Sequence, residues 1–355
     1  MQAIFITSTP LNVERGSGTF VGIETLTRSL RNLGWTIDVI TPRLHLPVYT
    51  AERILFNEAL RFRQNFKKPD FSLGFDLDGY ALPPSLRRKP HIAGIKGVVA
   101  DELRFEKGST RATMQIQARL EALHLKRAQF VTTTSHYSAS KLKELYGVPK
   151  VHAIIPEMID LSQWDQALAQ YNVPRDPKYF TLLCVCRFYP RKRADLLLYA
   201  AQILRDRIPN LEIRLVGGGP ETQRLHRLCK TMSLTNVIFR ENISQSDLIR
   251  EYRRCDVFCL PSVQEGFGIV FLEAMASAKP IIAARAAAVP EVVKHGILTD
   301  PESVVDIARA ISDMYANPSM RADLGQAGKE FVKNFDSPVV ASLFAAHAAE
   351  MLGSS

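Results

Sequence analysis

The chain has 355 residues, more than one hydrophobic core typically holds, so two domains are expected. Hydrophobic residues make up 46% of it and charged residues 23%, a composition that excludes a largely disordered protein. The formal net charge is +9, most of it in residues 1–160, with 22 Lys and Arg against 15 Asp and Glu. A basic first half is typical of a protein with an anionic partner, such as a phosphate-bearing ligand, a lipid headgroup or nucleic acid, although a solvated face explains it equally well.

Cysteine usage and hydropathy indicate where the protein is found. The 5 cysteines all lie in the second half, none has a C-x-x-C zinc spacing, and an odd number argues against a disulfide framework. The start "MQAIFITSTP" lacks the basic region of a signal peptide, and no apolar run reaches the roughly 18 residues of a membrane span. We expect a cytoplasmic protein, either free or peripheral at the inner face of the membrane.

Apolar runs alternate with amphipathic stretches along the first half. The pattern predicts strands and helices in this order: strand 3–7, helix 20–33, strands 36–41, 71–76 and 91–97, helix 111–127, and strands 130–135 and 152–156. The basic stretch "RFRQNFKK" (61–68) suggests an amphipathic helix that touches an anionic membrane surface or simply faces solvent. A polar, proline-bearing passage at 170–180 predicts a linker.

The same alternation restarts after the linker. It predicts strands at 181–188, 211–219, 237–241, 257–262 and 280–284, and helices at 193–208, 221–232, 246–255, 269–278, 302–316 and 319–334. Apolar strands that alternate with helices indicate parallel sheets covered on both faces. We therefore expect an α/β protein with two Rossmann-like doubly wound domains, residues 1–165 and residues 175–336, facing a central cleft.

Ligands of doubly wound sheets bind beyond the carboxyl ends of the strands, and the first such loop is rich in glycine. Gly16 and Gly18 in "GSGTF" precede a helix, where backbone amides can approach a phosphate. The rival interpretation is a nicotinamide fingerprint. It is weak, because Val21 stands at the third glycine position and the glycines lie far from the strand.

Two cations and a glycine follow strands of the second half. Arg187 comes directly after a predicted strand and Lys192 follows in "CRFYPRK", which suggests a clamp for a diphosphate, although basic residues before a helix are also common on surfaces. Gly218 in "LVGGGPE" lies where a flat base or sugar could approach the backbone.

The stretch "QEGFGIVFLE" places two glutamates around glycines and bulky apolar residues. Gly266 and Gly268 free backbone amides for an anion, and Glu265 lies beside them. Glu273 lies about two turns along a helix that is apolar on all sides, and a carboxylate there suits a vicinal diol such as a ribose. Glutamates at the solvated ends of a helix are the alternative. Two carboxylates near a diphosphate would repel it unless nearby cations compensated them.

Asp76 and Asp78, two residues apart in "DLDG", resemble the D-x-D metal motif of one class of sugar transferases. Two carboxylates could ligate Mg²⁺. A polar turn at a strand end is the favoured interpretation, and a contact with an acceptor is the other.

These motifs together resemble the retaining family-four glycosyltransferases of the glycosyltransferase B (GT-B) fold. The pattern "E-G-F-G-x-V-x-L-E-A-M-A" is highly specific, and "R-F-x-P-R-K", "V-G-G-G-P-E" and "V-P-E-V-V" stand in the expected order. The resemblance covers nearly the whole chain and is sharp only in the second half.

The resemblance implies roles for individual residues. Arg187 and Lys192 would bind the diphosphate of a nucleotide-sugar donor, Glu265 would contact the donor sugar, and Glu273 the ribose hydroxyls. Gly18 would face the phosphates from the first domain. The remaining donor contacts that it implies are Gly16, Gly218, Gly266, Phe267 and Gly268. No metal would be needed, and the C-terminal helix, residues 337–355, would pack back on the first domain.

The sequence departs from that family's pattern in two places. Where many members have a histidine before a glycine at a strand end of the first domain, this chain has Lys96 before Gly97, so we predict that Lys96 takes an electrostatic catalytic role. Where others have two glycines before "P-E", this chain has Ala286, Ala287 and Ala288, which would restrict backbone contact with the donor sugar.

The sequence thus predicts a retaining glycosyltransferase that moves a sugar from a UDP- or GDP-sugar to a hydroxyl group of a glycan, a glycolipid or a small molecule. The nucleotide sugar is a substrate, and no cofactor is expected. The alternatives are an epimerase or phosphorylase on the same fold and an NAD-dependent oxidoreductase. Nucleic acid is not expected as a partner, and the oligomeric state is left open.

Overall fold

The computed structural model describes residues 1–9, 18–43, 46, 48–63 and 68–353, and it divides into two compact units. The first unit comprises Met1–Met158 together with the C-terminal segment from Ser337, and the second comprises Ile159–Asp336. Each unit contains one sheet of six strands, and every strand pair in both sheets is parallel.

The sheet of the first unit has the strand order β2-β1-β3-β4-β5-β6. Its strands are β1 (Gln2–Ile6), β2 (Thr36–Ile40), β3 (Phe71–Phe75), β4 (His91–Ile95), β5 (Phe130–Thr133) and β6 (Ala153–Ile154). Its helices are α1 (Gly18–Asn32), α2 (Tyr49–Leu60), α3 (Pro84–Arg87), α4 (Val99–Glu102), α5 (Gly108–Arg127), α6 (His136–Tyr146) and the C-terminal α15 (Ser337–Gly353). Every residue of β3 and β4 is buried, as expected for parallel strands that helices cover on both faces.

The C-terminal helix α15 packs on α1. Ala341 and Phe344 of α15 share a hydrophobic cluster with Ile23, Leu26 and Leu30 of α1. Because these side chains are almost completely buried, the C-terminal helix completes one face of the first unit.

The sheet of the second unit has the order β12-β11-β10-β7-β8-β9. Its strands are β7 (Phe180–Val185), β8 (Leu211–Val216), β9 (Val237–Arg240), β10 (Val257–Leu260), β11 (Ile281–Ala284) and β12 (Gly296–Thr299). Its helices are α7 (Leu161–Gln170), α8 (Ala194–Leu204), α9 (Thr222–Thr231), α10 (Gln245–Arg254), α11 (Ile269–Ala276), α12 (Val289–Val292), α13 (Val304–Ala316) and α14 (Pro318–Phe331). Strand β12 was not predicted, because its half-exposed sequence "GILT" lacks the apolar run of the inner strands.

The structural division of the chain differs from the predicted boundary at 165–175. Helix α7 belongs to the second unit, since Trp164 and Leu168 are buried in the hydrophobic core of that unit. The chain therefore passes from the first unit to the second before α7, between Met158 and Ile159. Helix α7 was not among the predicted helices, and periodicity alone does not show against which core an apolar helix face packs.

The helix suggested for the basic stretch 61–68 is not found in the part of it that the structure describes. Helix α2 ends at Leu60, a turn follows at Arg61 and Phe62, and residues 64–67 lie outside the described residues. The helix forms earlier because Phe56 and Leu60 pack on the sheet beside Ile40. The basic residues therefore follow the helix.

Candidate active site

The predicted site residues of the second unit gather at one edge of its sheet. Strands β10, β7 and β8 are neighbours and parallel, so their carboxyl ends lie side by side. The three loops that follow them are residues 186–193, 217–221 and 261–268. Ligands of doubly wound sheets bind at this edge.

Lys192 is held in place by the loop that follows β10. It ends a short 3₁₀ turn, Pro190–Lys192, in which the carbonyl of Arg191 accepts hydrogen bonds from the Val263 amide at 2.9 Å and the Ser262 hydroxyl at 3.2 Å. The Lys192 ammonium then donates to Glu265 Oε1 at 2.7 Å. The predicted cation and the predicted carboxylate therefore form a largely buried ion pair, although the sequence separates them widely.

Arg187 differs from Lys192 in its surroundings. Its side chain is exposed and forms no ion pair with any residue in the described part of the chain. A guanidinium presents several donors in a rigid fork that suits phosphate oxygens. Arg187 is therefore a cation at the sheet edge that remains available to an anion.

The three glycines after β8 differ in whether packing within the protein requires a glycine at their position. A Cβ atom on Gly217, whose φ is +128°, would lie 2.0 Å from the Cys186 carbonyl oxygen, and one on Gly219 would lie 2.8 Å from the backbone of Phe188. These two glycines let the loops after β7 and β8 lie against each other. A Cβ on Gly218 would meet nothing closer than 3.6 Å. Packing within the protein therefore does not require a glycine at 218.

The loop after β10 has its own constraints. Gly268 has a φ of +92°, and a Cβ there would lie 2.7 Å from the Phe271 ring, so this position requires glycine. The ring of Phe267 is buried and packs edge-on against Phe335 at 5.6 Å between centroids. Phe267 can therefore contribute only its backbone to a ligand. Gly266 lies in the same loop, next to Glu265.

Glu273 lies on α11, the helix that this loop starts, and it is 9% exposed. Burial raises the pKa of Glu273 to about 7, and a hydrogen bond from Tyr252 partly offsets this by lowering the pKa. The Tyr252 hydroxyl donates to Glu273 Oε2 at 2.7 Å, and Oε1 has no hydrogen-bond partner among the described residues. A carboxyl group with one oxygen unused is a suitable acceptor for a ligand hydroxyl.

Sequence reasoning missed Tyr252. It lies on α10, in "REYRR", a segment that is otherwise charged. A single aromatic residue in such a segment is the signal that could have identified it as a buried position. Its link to Glu273 joins two different helices and cannot be read from spacing.

The predicted residues of the first unit are placed differently. The Lys96 ammonium is 2.7 Å from Glu157 Oε2, and both side chains are largely buried. A Cβ on Gly22 of α1 would lie 2.3 Å from that carboxylate, so glycine is needed for the ion pair to fit under the helix. The charge of Lys96 is thus already compensated within its own unit. Gly18 begins α1 and is exposed, and Gly16 lies outside the described residues.

The acids of the D-x-D sequence have separate partners. Asp76 Oδ1 accepts the backbone amide of Lys96 at 2.8 Å, whereas Asp78 accepts from the Ser8 amide at 2.6 Å and from the Asn57 side chain at 2.8 Å. The described residues contain no group of three His, Cys, Asp or Glu placed to hold a metal ion. Both carboxylates thus accept backbone amides near the ends of strands, which is the kind of contact expected of a polar turn.

Comparisons with known proteins bear on the second unit above all. A family model described as "Glycosyl transferases group 1" matches residues 167–331. GDP-mannose-dependent alpha-(1-6)-phosphatidylinositol monomannoside mannosyltransferase of Mycolicibacterium smegmatis is 30% identical over 222 residues, covering 58% of this chain and 57% of that protein. D-inositol 3-phosphate glycosyltransferase 2 of Catenulispora acidiphila is 33% identical over 215 residues, covering 56% and 50%. The chain spans about half the length of the curated relatives it matches.

Solved structures resemble the chain over nearly its whole length. Sucrose-phosphate synthase from Thermosynechococcus elongatus matches with a TM-score of 0.83 at 22% identity and covers 100% of both chains. HepE of Anabaena, solved in complex with UDP and glucose, has a TM-score of 0.67 at 16% identity and covers 98% of this chain and 99% of that one. These likenesses confirm the predicted GT-B fold. The family match confirms the resemblance drawn from the motifs for residues 167–331, which are similar to the group 1 glycosyl transferases.

Proposed function

We propose that the protein is a retaining glycosyltransferase that transfers a sugar from a UDP- or GDP-sugar to a hydroxyl acceptor. The observation that carries this proposal is the set of complementary groups at one edge of the second sheet. An exposed guanidinium, an ammonium–carboxylate pair and a half-satisfied buried carboxyl group suit the diphosphate, the sugar and the ribose of one donor. The family does not favour the epimerase, phosphorylase or oxidoreductase alternatives.

The diphosphate is assigned to Arg187 and Lys192. Both cations follow β7, and Lys192 is already oriented by Glu265. Unit charges about 4 Å apart interact by roughly 4 kcal/mol at an effective dielectric constant near 20. The two cations would therefore stabilise the charge that develops on the departing nucleoside diphosphate, and this is the catalytic term that we assign to them.

The two glutamates are assigned to the two ends of the donor. Glu265 would accept a hydroxyl of the transferred sugar, while its other contact holds Lys192. Glu273 would accept the ribose hydroxyls through Oε1. The backbone of Gly266, Phe267 and Gly268 would contact the donor between them, and Gly218 would let it approach the end of β8.

Metal independence is part of the proposal. Arg187 and Lys192 supply positive charge at the place where other transferases use a divalent cation, and the acids of the D-x-D sequence are engaged elsewhere. Activity that persists in excess EDTA would support this assignment. Loss of activity in EDTA, with recovery on adding Mg²⁺, would contradict it.

The catalytic role predicted for Lys96 stays a prediction. Its ion pair with Glu157 lies inside the first unit, so we expect Lys96 to act through its charge or by positioning the end of β4. A Lys96→Met variant that retains donor binding and loses turnover would support an electrostatic role. If the variant lost stability and turnover to the same extent, the role of Lys96 would be structural.

The acceptor is proposed to be a glycan or glycolipid hydroxyl, because relatives in the family are named for phosphatidylinositol mannoside and inositol phosphate substrates. Among the described residues, none of the helices combines the length and the hydropathy that a membrane-spanning segment needs. We propose that the protein is cytoplasmic and that its first unit contacts an anionic membrane surface.

The surface around α2 supports the membrane contact. A groove of about 720 Å³ beside α2 is lined by apolar residues including Leu55 and Phe56, by the cations Arg43 and Arg63, and by Glu52, whose carboxylate accepts a backbone amide. Phe62, in the turn after α2, is 82% exposed. Apolar side chains flanked by cations fit a bilayer that contains anionic lipid.

Cosedimentation with vesicles tests this contact. The Arg43→Ala, Arg63→Ala double variant should bind phosphatidylglycerol-containing vesicles less than the parent does, while an Arg309→Ala control in the second unit should not change binding. Equal binding to vesicles of pure phosphatidylcholine would contradict the electrostatic part of the proposal.

Thermal-shift screening tests the donor assignment at the least cost. UDP or GDP should raise the melting temperature through the second unit, and the Arg187→Ala variant should lose most of that shift. Sugar transfer from the matching nucleotide sugar would then be followed by mass spectrometry of candidate acceptors. Stabilisation by NAD, with no response to UDP or GDP, would overturn the proposal.

A further inference from the structure

Tyr252 is the buried polar residue at the candidate site that no motif explains. It is 0% exposed, and its hydroxyl reaches across from α10 to Glu273 Oε2 on α11 at 2.7 Å. The hydroxyl also lies 3.4 Å from the Val270 carbonyl, a weaker alternative acceptor. A hydrogen bond to a charged group is stronger than one to a neutral group, so the carboxylate is the preferred partner.

The ring of Tyr252 is fixed by aromatic neighbours. Trp164 of α7 packs edge-on at 5.7 Å between centroids, and Phe258 of β10 stacks at 5.9 Å. The indole N–H of Trp164 donates to the Ser277 hydroxyl at 3.0 Å, just after the end of α11. Because packing fixes the ring, the hydroxyl can occupy only a small region, and the carboxyl group of Glu273 lies in it.

Tyr252 remains a donor at ordinary pH. Burial, and then the charge of Glu273, raise the pKa of the Tyr252 hydroxyl well above its ordinary value. The hydroxyl carries one proton and gives it to Oε2. Glu273 Oε1 is left without a partner among the described residues.

We infer that Tyr252 is a positioning residue that holds Oε2 of Glu273 and so presents Oε1 to the ribose of the donor. This inference rests on the proposed function, because it assumes that Glu273 binds the ribose. It adds a residue outside the glutamate motif to the machinery of donor recognition. It also gives a reason for a tyrosine rather than a phenylalanine between Trp164 and Phe258.

The test uses ribose discrimination, which is the ratio of the dissociation constants for 2′,3′-dideoxy and ordinary nucleoside diphosphate. Both are measured by calorimetry with the full chain, using whichever of UDP and GDP binds the parent. Tyr252→Phe keeps the ring and its packing and removes only the hydroxyl. We expect the discrimination ratio to fall by about tenfold, the effect of one hydrogen bond to a charged group. The affinity for the dideoxy compound should change little.

Ser277→Ala is the matched control. It deletes a neighbouring hydrogen bond from the same aromatic stack and leaves the Glu273 carboxyl group as it is, so the ratio should be unchanged. A second measurement separates positioning from packing. Since the Tyr252 bond lowers the pKa of Glu273, Tyr252→Phe should move the pH midpoint of nucleotide binding upward. In a Glu273→Gln background, Tyr252→Phe should have no further effect on the ratio.

Each outcome decides the inference. A ratio and a pH midpoint that stay unchanged in Tyr252→Phe would overturn it, even if the melting temperature fell, because Tyr252 would then act through packing alone. An equal effect of Ser277→Ala would overturn it in the same way. If the parent bound neither UDP nor GDP, the proposed function and this inference would both fail.

Discussion

Both sheets are parallel, and the side chains at their carboxyl ends differ in how many of their polar groups are engaged within the protein. In the described part of the first unit, Asp78 accepts from Ser8, Asn57 and Arg53, and Lys96 is paired with Glu157. In the second unit Lys192 is likewise paired, with Glu265, but Arg187 has no ion pair among the described residues and Glu273 uses one oxygen. Buried polar groups in proteins are normally satisfied. The unused oxygen of Glu273 and the exposed guanidinium of Arg187 therefore make the carboxyl edge of the second sheet the candidate ligand site.

A chain of hydrogen bonds runs through the first unit from Asp76, just after β3, to His91 and Ser72, near the amino ends of β4 and β3. The carbonyl of Asp76 can only accept, so His124 Nδ1 must donate to it, and His124 Nε2 must accept from His91 Nε2 at 2.8 Å. His91 Nδ1 then accepts from the Ser72 hydroxyl at 2.8 Å. Burial lowers the pKa of both histidines, that of His124 to about 4. The pair is therefore neutral near pH 7, with every ring nitrogen engaged.

The largest expected effect comes from disrupting the buried ion pair between Asp78 and Arg53 in the first unit. Asp78→Ala removes the partner of Arg53, whose guanidinium would remain buried and charged. Removing one member of a buried ion pair costs about 3–5 kcal/mol. We expect calorimetry to show a markedly lower melting temperature for the first unit.

Glu58→Ala is the control for this prediction, because Glu58 forms an ion pair with Arg61 in which both side chains are exposed. It should cost about 1 kcal/mol or less. If both variants melted alike, the interpretation of the first edge as a buried, mutually dependent network would be wrong.

The next largest effect is expected at the unsatisfied edge. Glu273→Gln keeps the size of the side chain and removes the charged acceptor, which should weaken binding of a nucleoside diphosphate by about 10- to 100-fold. Calorimetric titration measures the change. A matched Glu330→Gln variant, at an exposed position of the same unit, should bind as the parent does. A dissociation constant that is unchanged in Glu273→Gln would remove the ribose assignment.

Much of the fold and of the candidate site could be predicted from sequence, because both depend on local patterns. Apolar strands such as β7 reveal a parallel sheet, and glycines beside charged residues at strand ends reveal a ligand edge. What could not be predicted depends on contacts between distant segments. Glu157 pairs with Lys96, and Tyr252 with Glu273, across different elements. Spacing along the chain carries no information about such partners.

The pH dependence of donor binding should be about tenfold. Burial raises the pKa of Glu273 to about 7, so the carboxylate that accepts ribose hydroxyls is lost as the pH falls through that value. Affinity for a nucleoside diphosphate should therefore fall about tenfold from pH 8 to pH 6. Ionisation of the phosphate also makes the affinity depend on pH. The profile of the parent is therefore compared with that of Glu273→Gln, in which only the dependence due to the phosphate should remain. Identical profiles would show that Glu273 does not titrate with binding.

Stability without ligand should depend on pH with the opposite sign. The folded chain keeps a proton on Glu273 at pH values where the unfolded chain, with a pKa near 4.5, has released it. The free energy of unfolding should therefore decrease as the pH rises from about 4.5 to 7. Glu273→Gln should remove this contribution, which unfolding measured at several pH values would detect. A slope that is the same in both proteins would contradict the raised pKa.

The smallest expected effect is that of Gly218→Ala. It separates a glycine that leaves space for a ligand from one that the fold of the loop requires. Gly218→Ala places a Cβ where the nearest protein atom is 3.6 Å away, so the melting temperature should change little while nucleotide affinity falls a few-fold. Gly217→Ala should destabilise the second unit instead, because its φ is +128° and its Cβ would lie 2.0 Å from a carbonyl oxygen. If Gly218→Ala left affinity unchanged, the donor would not pass close to the end of β8. The open space at Gly218 would then belong to the loop alone, and the ligand edge would narrow to the loops after β7 and β10.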